Sequence, residues 1–166
     1  MNINFITGSA LEPDVIGQKF IVHVCNDIGG WGSGFVVPLG KKWPRSEASY
    51  RRWHKESKNP DSKIYNSFNL GMVQPVPVED DIIVMNMIAQ HGHNPADKPI
   101  RYEALKQCLT KVAEYAELHL NASIHMPRIG CGLAGGEWSK VQEIIEETLK
   151  DLPVYVYTLE GDTSWR

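Results

Sequence analysis

The sequence predicts an α/β fold built on a largely buried sheet. Three observations carry that prediction. Short apolar runs alternate along the chain with amphipathic segments, which is the pattern of strands interleaved with helices. One of the runs, Phe20-Ile21-Val22-His23-Val24-Cys25, is continuous and rich in β-branched residues, as a strand covered on both faces requires. The length of 166 residues, 42% of them hydrophobic, suffices for one sizeable core and falls short of two ordinary domains, so a single domain over 1–166 is expected.

The elements follow in order. Asn2 to Ile6 reads as a first strand, closed by Thr7-Gly8-Ser9, and Phe20 to Cys25 as a central one. A helix is expected to begin near Phe35, and the polar, turn-rich stretch from Lys55 to Ser67 reads as a surface loop. Asn69 to Val78 and Asp81 to Gln90 are strands. Pro75 and Pro77 cannot donate to a ladder, which pushes the first of these toward a sheet edge. Tyr102, Leu105, Cys108, Leu109, Val112, Tyr115 and Ala116 recur at helical spacing and predict a helix over Arg101 to Leu118 with one apolar face. Ser123 to Met126 is a short strand. Val141, Ile144, Ile145 and Leu149 repeat the helical pattern over Trp138 to Lys150, and Leu152-Pro153 separates that helix from a last strand, Val154 to Leu159. No internal repeat, low-complexity stretch or interdomain linker interrupts the series.

Composition narrows the function. Seventeen Lys and Arg against twenty Asp and Glu leave a formal net charge of -3, without a strong nucleic-acid signal. The basic run Arg45, Arg51, Arg52, Lys55 and Lys58 reads at helical spacing as a solvated face, with attraction of an anionic partner as the alternative. Cys25, Cys108 and Cys131 form no CxxC pair and share no ligand spacing with the histidines. That pattern predicts a reducing compartment and neither a metal site nor another cofactor. The segment Met1 to Ile6 lacks the blocks of a signal peptide, and no apolar run approaches membrane-spanning length, so a cytoplasmic protein without a membrane partner is expected.

Open α/β sheets bind ligands at the carboxyl ends of their strands, and two strand ends here carry unusual loops. The first, His23 to Gly34, holds Gly29, Gly30, Gly32 and Gly34 together with Trp31 and Ser33. The second, Pro127 to Gly136, holds Arg128, Gly130, Cys131, Gly132 and Leu133. Glycine lets the backbone approach a ligand and turn its N–H groups inward, and a following helix favours anions, so a phosphate or diphosphate is the expected guest. No Gly-Lys-Ser or Gly-Lys-Thr follows either loop, and neither has the GxGxxG order, which argues against an ordinary NTPase or dehydrogenase.

The pairing of Cys25-Asn26-Asp27 and its glycine loop with Met126-Pro127-Arg128-Ile129-Gly130-Cys131-Gly132-Leu133 resembles the macrodomain superfamily, from the first strand to Tyr157-Thr158-Leu159. Within it the resemblance is to the branch of the terminal ADP-ribose protein glycohydrolase and the yeast-type ADP-ribose 1''-phosphate phosphatase. The resemblance implies a three-layer α/β/α fold with a central mixed sheet and ADP-ribose, or a derivative, lying across its crest. It implies that Asn26 faces the distal ribose, that Gly29 to Gly34 lie by the proximal phosphate and ribose, that Gly130 to Leu133 wrap the diphosphate, and that Tyr157 stacks on the adenine side. Many relatives carry an aspartate after the first strand that contacts the adenine amine; here Gly8-Ser9-Ala10 stands instead, with Glu12 or Asp14 as substitutes.

Catalysis departs from one branch and follows the other. The lysine and aspartate of the deacylating glycohydrolase are matched by Gln90 and Ala134. The phosphatase-like relatives carry a histidine and a Gly-Trp-Gly, matched by His23 and Gly30-Trp31-Gly32. An imidazole titrates near neutrality, so His23 is the candidate to activate water or protonate a leaving oxygen, and its competitor reading is a satisfied core histidine. Asp27 is expected to orient or polarise the site, and His91 and His93 to flank the entrance or to be ordinary loop residues. Trp31 either closes over the distal ribose or wedges its loop against the following helix. Cys131 is a reactive thiol or a small packing residue, and Trp43, Trp53 and Trp138 read as packing. The expected function is therefore dephosphorylation of ADP-ribose 1''-phosphate. The alternatives are a non-catalytic reader of ADP-ribosylated macromolecules, a hydrolase of ADP-ribosyl esters, and a nucleotide-metabolite sensor with another base preference.

Overall fold

The computed structural model describes residues 3–166, so Met1 and Asn2, the latter the expected first strand residue, lie outside the described residues. The strands are β1 (Ile3–Thr7), β2 (Lys19–Asn26), β3 (Val73–Glu79), β4 (Ile82–Gln90), β5 (Ser123–Met126) and β6 (Val154–Thr158). They form one sheet in the order β1-β6-β5-β2-β4-β3. Every neighbouring pair is parallel except β3 with β4, so the sheet is mixed and its antiparallel strand is the edge that carries Pro75 and Pro77.

Helices α1 (Val36–Lys42), α2 (Pro44–Glu56), α3 (Tyr102–Ala116) and α4 (Trp138–Thr148) cover the sheet, completing an α/β/α sandwich. The pleat of the two central strands sorts their residues. Phe20 and Val22 of β2, with Ile83, Met85 and Met87 of β4, pack under Leu105, Leu109 and Val112 of α3 and Val141 and Ile145 of α4. The alternate residues Ile21, Cys25, Ile82 and Val84 meet Leu39 of α1 and Tyr50 of α2. A period of two therefore serves both layers, which is why β2 and β4 read as continuous apolar runs.

Two elements differ from expectation. The third strand starts at Val73, because residues 69–72 form a turn in which Gly71 has φ +91° and a Cβ would fall 2.1 Å from Gln107 Oε1. Helix α2 was legible only through the helical spacing of its basic residues, yet Pro44 opens it and Ser46, Tyr50 and Trp53 bury one narrow stripe of it. No helix among the described residues is long and apolar enough to cross a membrane.

Candidate functional site

Because β1, β6, β5, β2 and β4 run parallel, their carboxyl ends share one edge of the sheet, and the loops leaving them enclose a cleft of about 1040 Å³. Gly8 to Leu11 follow β1, Asn26 ends β2 and residues 30–35 come after it, and residues 127–134 follow β5. The two glycine loops face each other, for a Cβ on Gly34 would lie 3.9 Å from Leu133 Cδ1. Gly8, Gly30, Trp31, Gly32, Ser33 and Gly34 line the cleft on one side. Arg128, Gly130, Cys131, Gly132, Leu133 and Tyr157 line it on the other.

Asn26 organises the first loop. Its Oδ1 accepts from the N–H groups of Ile28 (3.1 Å) and Gly30 (2.9 Å), and its Nδ2 donates to the Gly30 carbonyl at 3.1 Å. The Tyr50 hydroxyl lies 2.6 Å from the Asn26 carbonyl and 3.0 Å from Oδ1. The amide expected to face a ribose is therefore already the staple that shapes the loop. Gly29 has φ +78° and a Cβ there would fall 2.5 Å from His54 Nδ1, so it packs on α2 and does not line the cleft, contrary to expectation. Trp31 is 6% exposed, edge-on to His23 and tilted on Tyr50, with Nε1 against Gly40 of α1, so it wedges the loop against the helix.

Asp27 turns out of the cleft as well. Its carboxylate is 2.8 Å from His91 Nδ1 and accepts the Gly92 N–H at 2.8 Å, clamping the loop after β4, whereas it was expected to orient or polarise the site. His91 is thereby spent on that clamp, whereas His93 and Gln90 line the cleft.

His23 lies on the face of β2 that α2 covers and is 1% exposed. Its Nε2 is 2.5 Å from Asn86 Oδ1, and Asn86 Nδ2 donates to the Ser46 carbonyl and to Gln74 Oε1, which ties the imidazole into the docking of α2. An oxygen acceptor requires the proton on Nε2. Burial, opposed in part by the Asn86 bond, pushes its pKa down to about 4, so the ring is neutral near pH 7.

Loop residues after β5 are held by backbone geometry. Gly130 and Gly132 have φ of +74° and +70°, and the Gly136 N–H donates to the Gly130 carbonyl at 2.8 Å. Burial pushes the Cys131 thiol up to about 11, which makes it a poor nucleophile at neutral pH. Arg128 donates from Nε to Thr158 Oγ1 at 2.9 Å, and its guanidinium lies over the rings of Trp165 (3.7 Å), Trp138 (4.7 Å) and Phe5 (5.0 Å). Tyr157 is 6% exposed; its hydroxyl is 2.8 Å from Nδ1 of the buried His125, whose ring stacks on Tyr155 at 4.8 Å.

Among the lining residues that the sequence did not mark as site residues are Asp162, Ser164 and Trp165 of the segment after β6, and Arg51 of α2. Asp162 Oδ1 accepts from Ser164 N (2.9 Å) and Oγ (2.7 Å), and Trp165 Nε1 donates to the Asp162 carbonyl. It is the only carboxylate lining the cleft among the described residues. Glu12 and Asp14, the expected substitutes for an adenine-reading aspartate, do not line it, and Glu12 is paired with Lys42 Nζ at 3.0 Å. Residues after a terminal strand carry no motif, so only the return of the chain over the cleft could reveal them.

A mixed six-stranded sheet in this order, with two glycine loops meeting over the ends of its parallel strands, defines an α/β domain built to hold a ligand at its crest. The chain belongs to the macrodomain family. It is 47% identical to a macrodomain protein of known structure from Streptomyces coelicolor, covering 94% of this chain and 98% of that one with a TM-score of 0.80. A structure of a protein of unknown function from Bacteroides thetaiotaomicron is 49% identical, covering 96% of this chain and 99% of that chain with a TM-score of 0.86. The ADP-ribose 1''-phosphate phosphatase of Candida albicans is 25% identical over 153 residues, 87% of this chain and 92% of the relative. No family model matches the sequence.

Proposed function

We propose that the cleft binds ADP-ribose and that the protein hydrolyses an ADP-ribose derivative, ADP-ribose 1''-phosphate, to ADP-ribose and orthophosphate. The carrying observation is the convergence of the two glycine loops on one cleft, with Gly34 and Leu133 in near contact across it. The Gly30 and Cys131 N–H groups already donate to Asn26 Oδ1 and to the Arg128 carbonyl, and we assign the other backbone N–H groups of Gly32, Gly34 and Gly132 to a diphosphate between the loops. The likeness to the Candida albicans phosphatase adds support. The base belongs at the end walled by Leu159, Trp165 and the edge of Tyr157, and the distal ribose at the end walled by Asn26, Gln90 and His93. Asp162 is the acceptor for the exocyclic amine of the base.

In the reaction, water attacks phosphorus in line, the bond from phosphorus to the oxygen on C1'' breaks, and that oxygen takes a proton. Backbone N–H groups of the first loop stabilise the charge developing on the phosphoryl oxygens. His93 is the accessible imidazole at this end and supplies the proton. His23 departs from its expected part in proton transfer: buried, neutral and bonded to Asn86, it positions the floor of the site. The test is phosphate release from ADP-ribose 1''-phosphate alongside calorimetry with ADP-ribose. Wild type binds and turns over; His93→Ala binds but loses about a hundredfold or more in kcat, the usual worth of a general acid. Binding with no phosphate released by wild type selects the second reading, a reader of ADP-ribosylated macromolecules. That reading is favoured by the neutral state of His23 and by Gln90 and Ala134, which offer neither a lysine nor an aspartate.

A further inference from the structure

The two ends of the cleft differ in charge. Arg51, Arg128, His93 and the buried, neutral His23 are the basic residues that line it among the described residues, and Arg128 stands at the base end, packed among Phe5, Trp138 and Trp165 and bonded to Thr158. That leaves Arg51 as the permanent cation of the opposite end. It reaches the cleft from the middle of α2, with Nε donating to Glu47 Oε2 at 2.8 Å and Nη1 donating to the Gly29 carbonyl at 3.1 Å. These two bonds fix the guanidinium beside the first glycine loop while leaving Nη2 without an acceptor among the described residues.

Arg51 also walls a second, shallower groove of about 580 Å³ that adjoins the cleft, together with Arg52, Lys55, Glu56 and Asn59. Arg52 is paired with Glu56, but among the described residues Lys55 has no ion pair, so the surface beyond Arg51 stays positive. With Nε and Nη1 committed, Nη2 remains to donate a charge-assisted bond to a phosphoryl oxygen, whereas an uncharged substituent offers it no anion to meet. Building on the cleft reading above, we propose that Arg51 is the specificity-determining residue that recognises a phosphoryl group carried on the distal ribose, with the basic groove giving that anion room beyond the cleft. The same run of basic residues looks, in sequence, like a solvated helix face. Only the packing of α2 against the loop after β2 brings one of its members to the ligand.

The experiment is displacement of a fluorescent ADP-ribose derivative by ADP-ribose and by its non-hydrolysable 1''-phosphonate, for wild type, Arg51→Ala and Arg51→Lys. Wild type is expected to prefer the phosphonate by roughly tenfold or more, the scale of one charge-assisted contact. Arg51→Ala brings the two ligands within about threefold of each other, Arg51→Lys falls between, and salt weakens the phosphonate more than ADP-ribose in wild type and Arg51→Lys but not in Arg51→Ala. No preference in wild type, or an equal loss of both ligands in Arg51→Ala, overturns the proposal, since a mere brace for Gly29 would affect both alike. An Arg51-dependent preference with no phosphate released from ADP-ribose 1''-phosphate keeps the proposal and removes the phosphatase reading. Failure of wild type to bind either ligand removes both.

Discussion

At the scale of single residues, the buried histidines separate what a side chain is from what it can do. His23 and His125 both have their pKa pushed down to about 4, chiefly by burial, against about 6.5 in an unfolded chain. The unfolded chain thus binds protons that the folded one refuses. The stability this represents is complete above pH 6.5 and is lost as the pH falls from there toward 4, with a ceiling of ~3 kcal/mol per ring. Denaturant midpoints measured across that window should fall, and His23→Gln, which removes one of the two largest imidazole shifts, should make the decline shallower. Asp162, held ionised by its Ser164 bonds, titrates below this window. Its own test is selectivity: Asp162→Asn should cost roughly tenfold in affinity for ADP-ribose while sparing the inosine analogue, measured by calorimetry. Equal losses for both would show that the substitution only disturbs the segment. For His23 the sequence left the catalytic and the core reading both open, and Asp162 it did not mark at all. The chain lists an imidazole but not the acceptor across the sheet, and it lists a carboxylate but not the fold-back that brings it to the cleft.

Elements explain why glycine is required where it is. The first loop is pinned between β2 and α2 by the four hydrogen bonds of Asn26 and by the arginine of α2 on the Gly29 carbonyl. Gly29 combines a left-handed φ with an imidazole against its α-carbon, so Gly29→Ala must displace His54 and strain the backbone together. We expect a loss of about 2 kcal/mol or more in stability, by denaturant titration, and a larger proportional loss of ADP-ribose binding. Gly32, with open space around it, should accept alanine without loss of stability, and only ligand affinity should fall. The glycine-rich pattern in the sequence marked the whole stretch as one ligand loop; the structure divides it into a packing half and a binding half. Density of glycine is a property of the segment, whereas the neighbour of each α-carbon is a property of the packed elements.

For the whole molecule, the sheet acts as a frame that gathers loops distant in sequence. β1 and β6 pair in register from Ile3 with Val154 to Thr7 with Thr158, so the first and last strands end side by side, and the segments that follow them wall the same end of the cleft. Ligand that bridges these loops binds only the folded chain, and ADP-ribose at a hundred times its Kd should stabilise the protein by about 2.7 kcal/mol, seen as a rise in Tm. No rise at that concentration would leave the proposed ligand without a site. The sequence by itself determined the α/β class, the edge position of the proline-bearing strand, the two amphipathic helices α3 and α4, and the two glycine loops, because periodicity and backbone chemistry are local properties. Tertiary structure alone decided that His23 is enclosed, that Asp27 and Gly29 face away from the cleft, and that Arg51 and Asp162 face into it. Burial and the direction of a side chain depend on which distant segments pack against it, and nothing within a few residues of these positions encodes that.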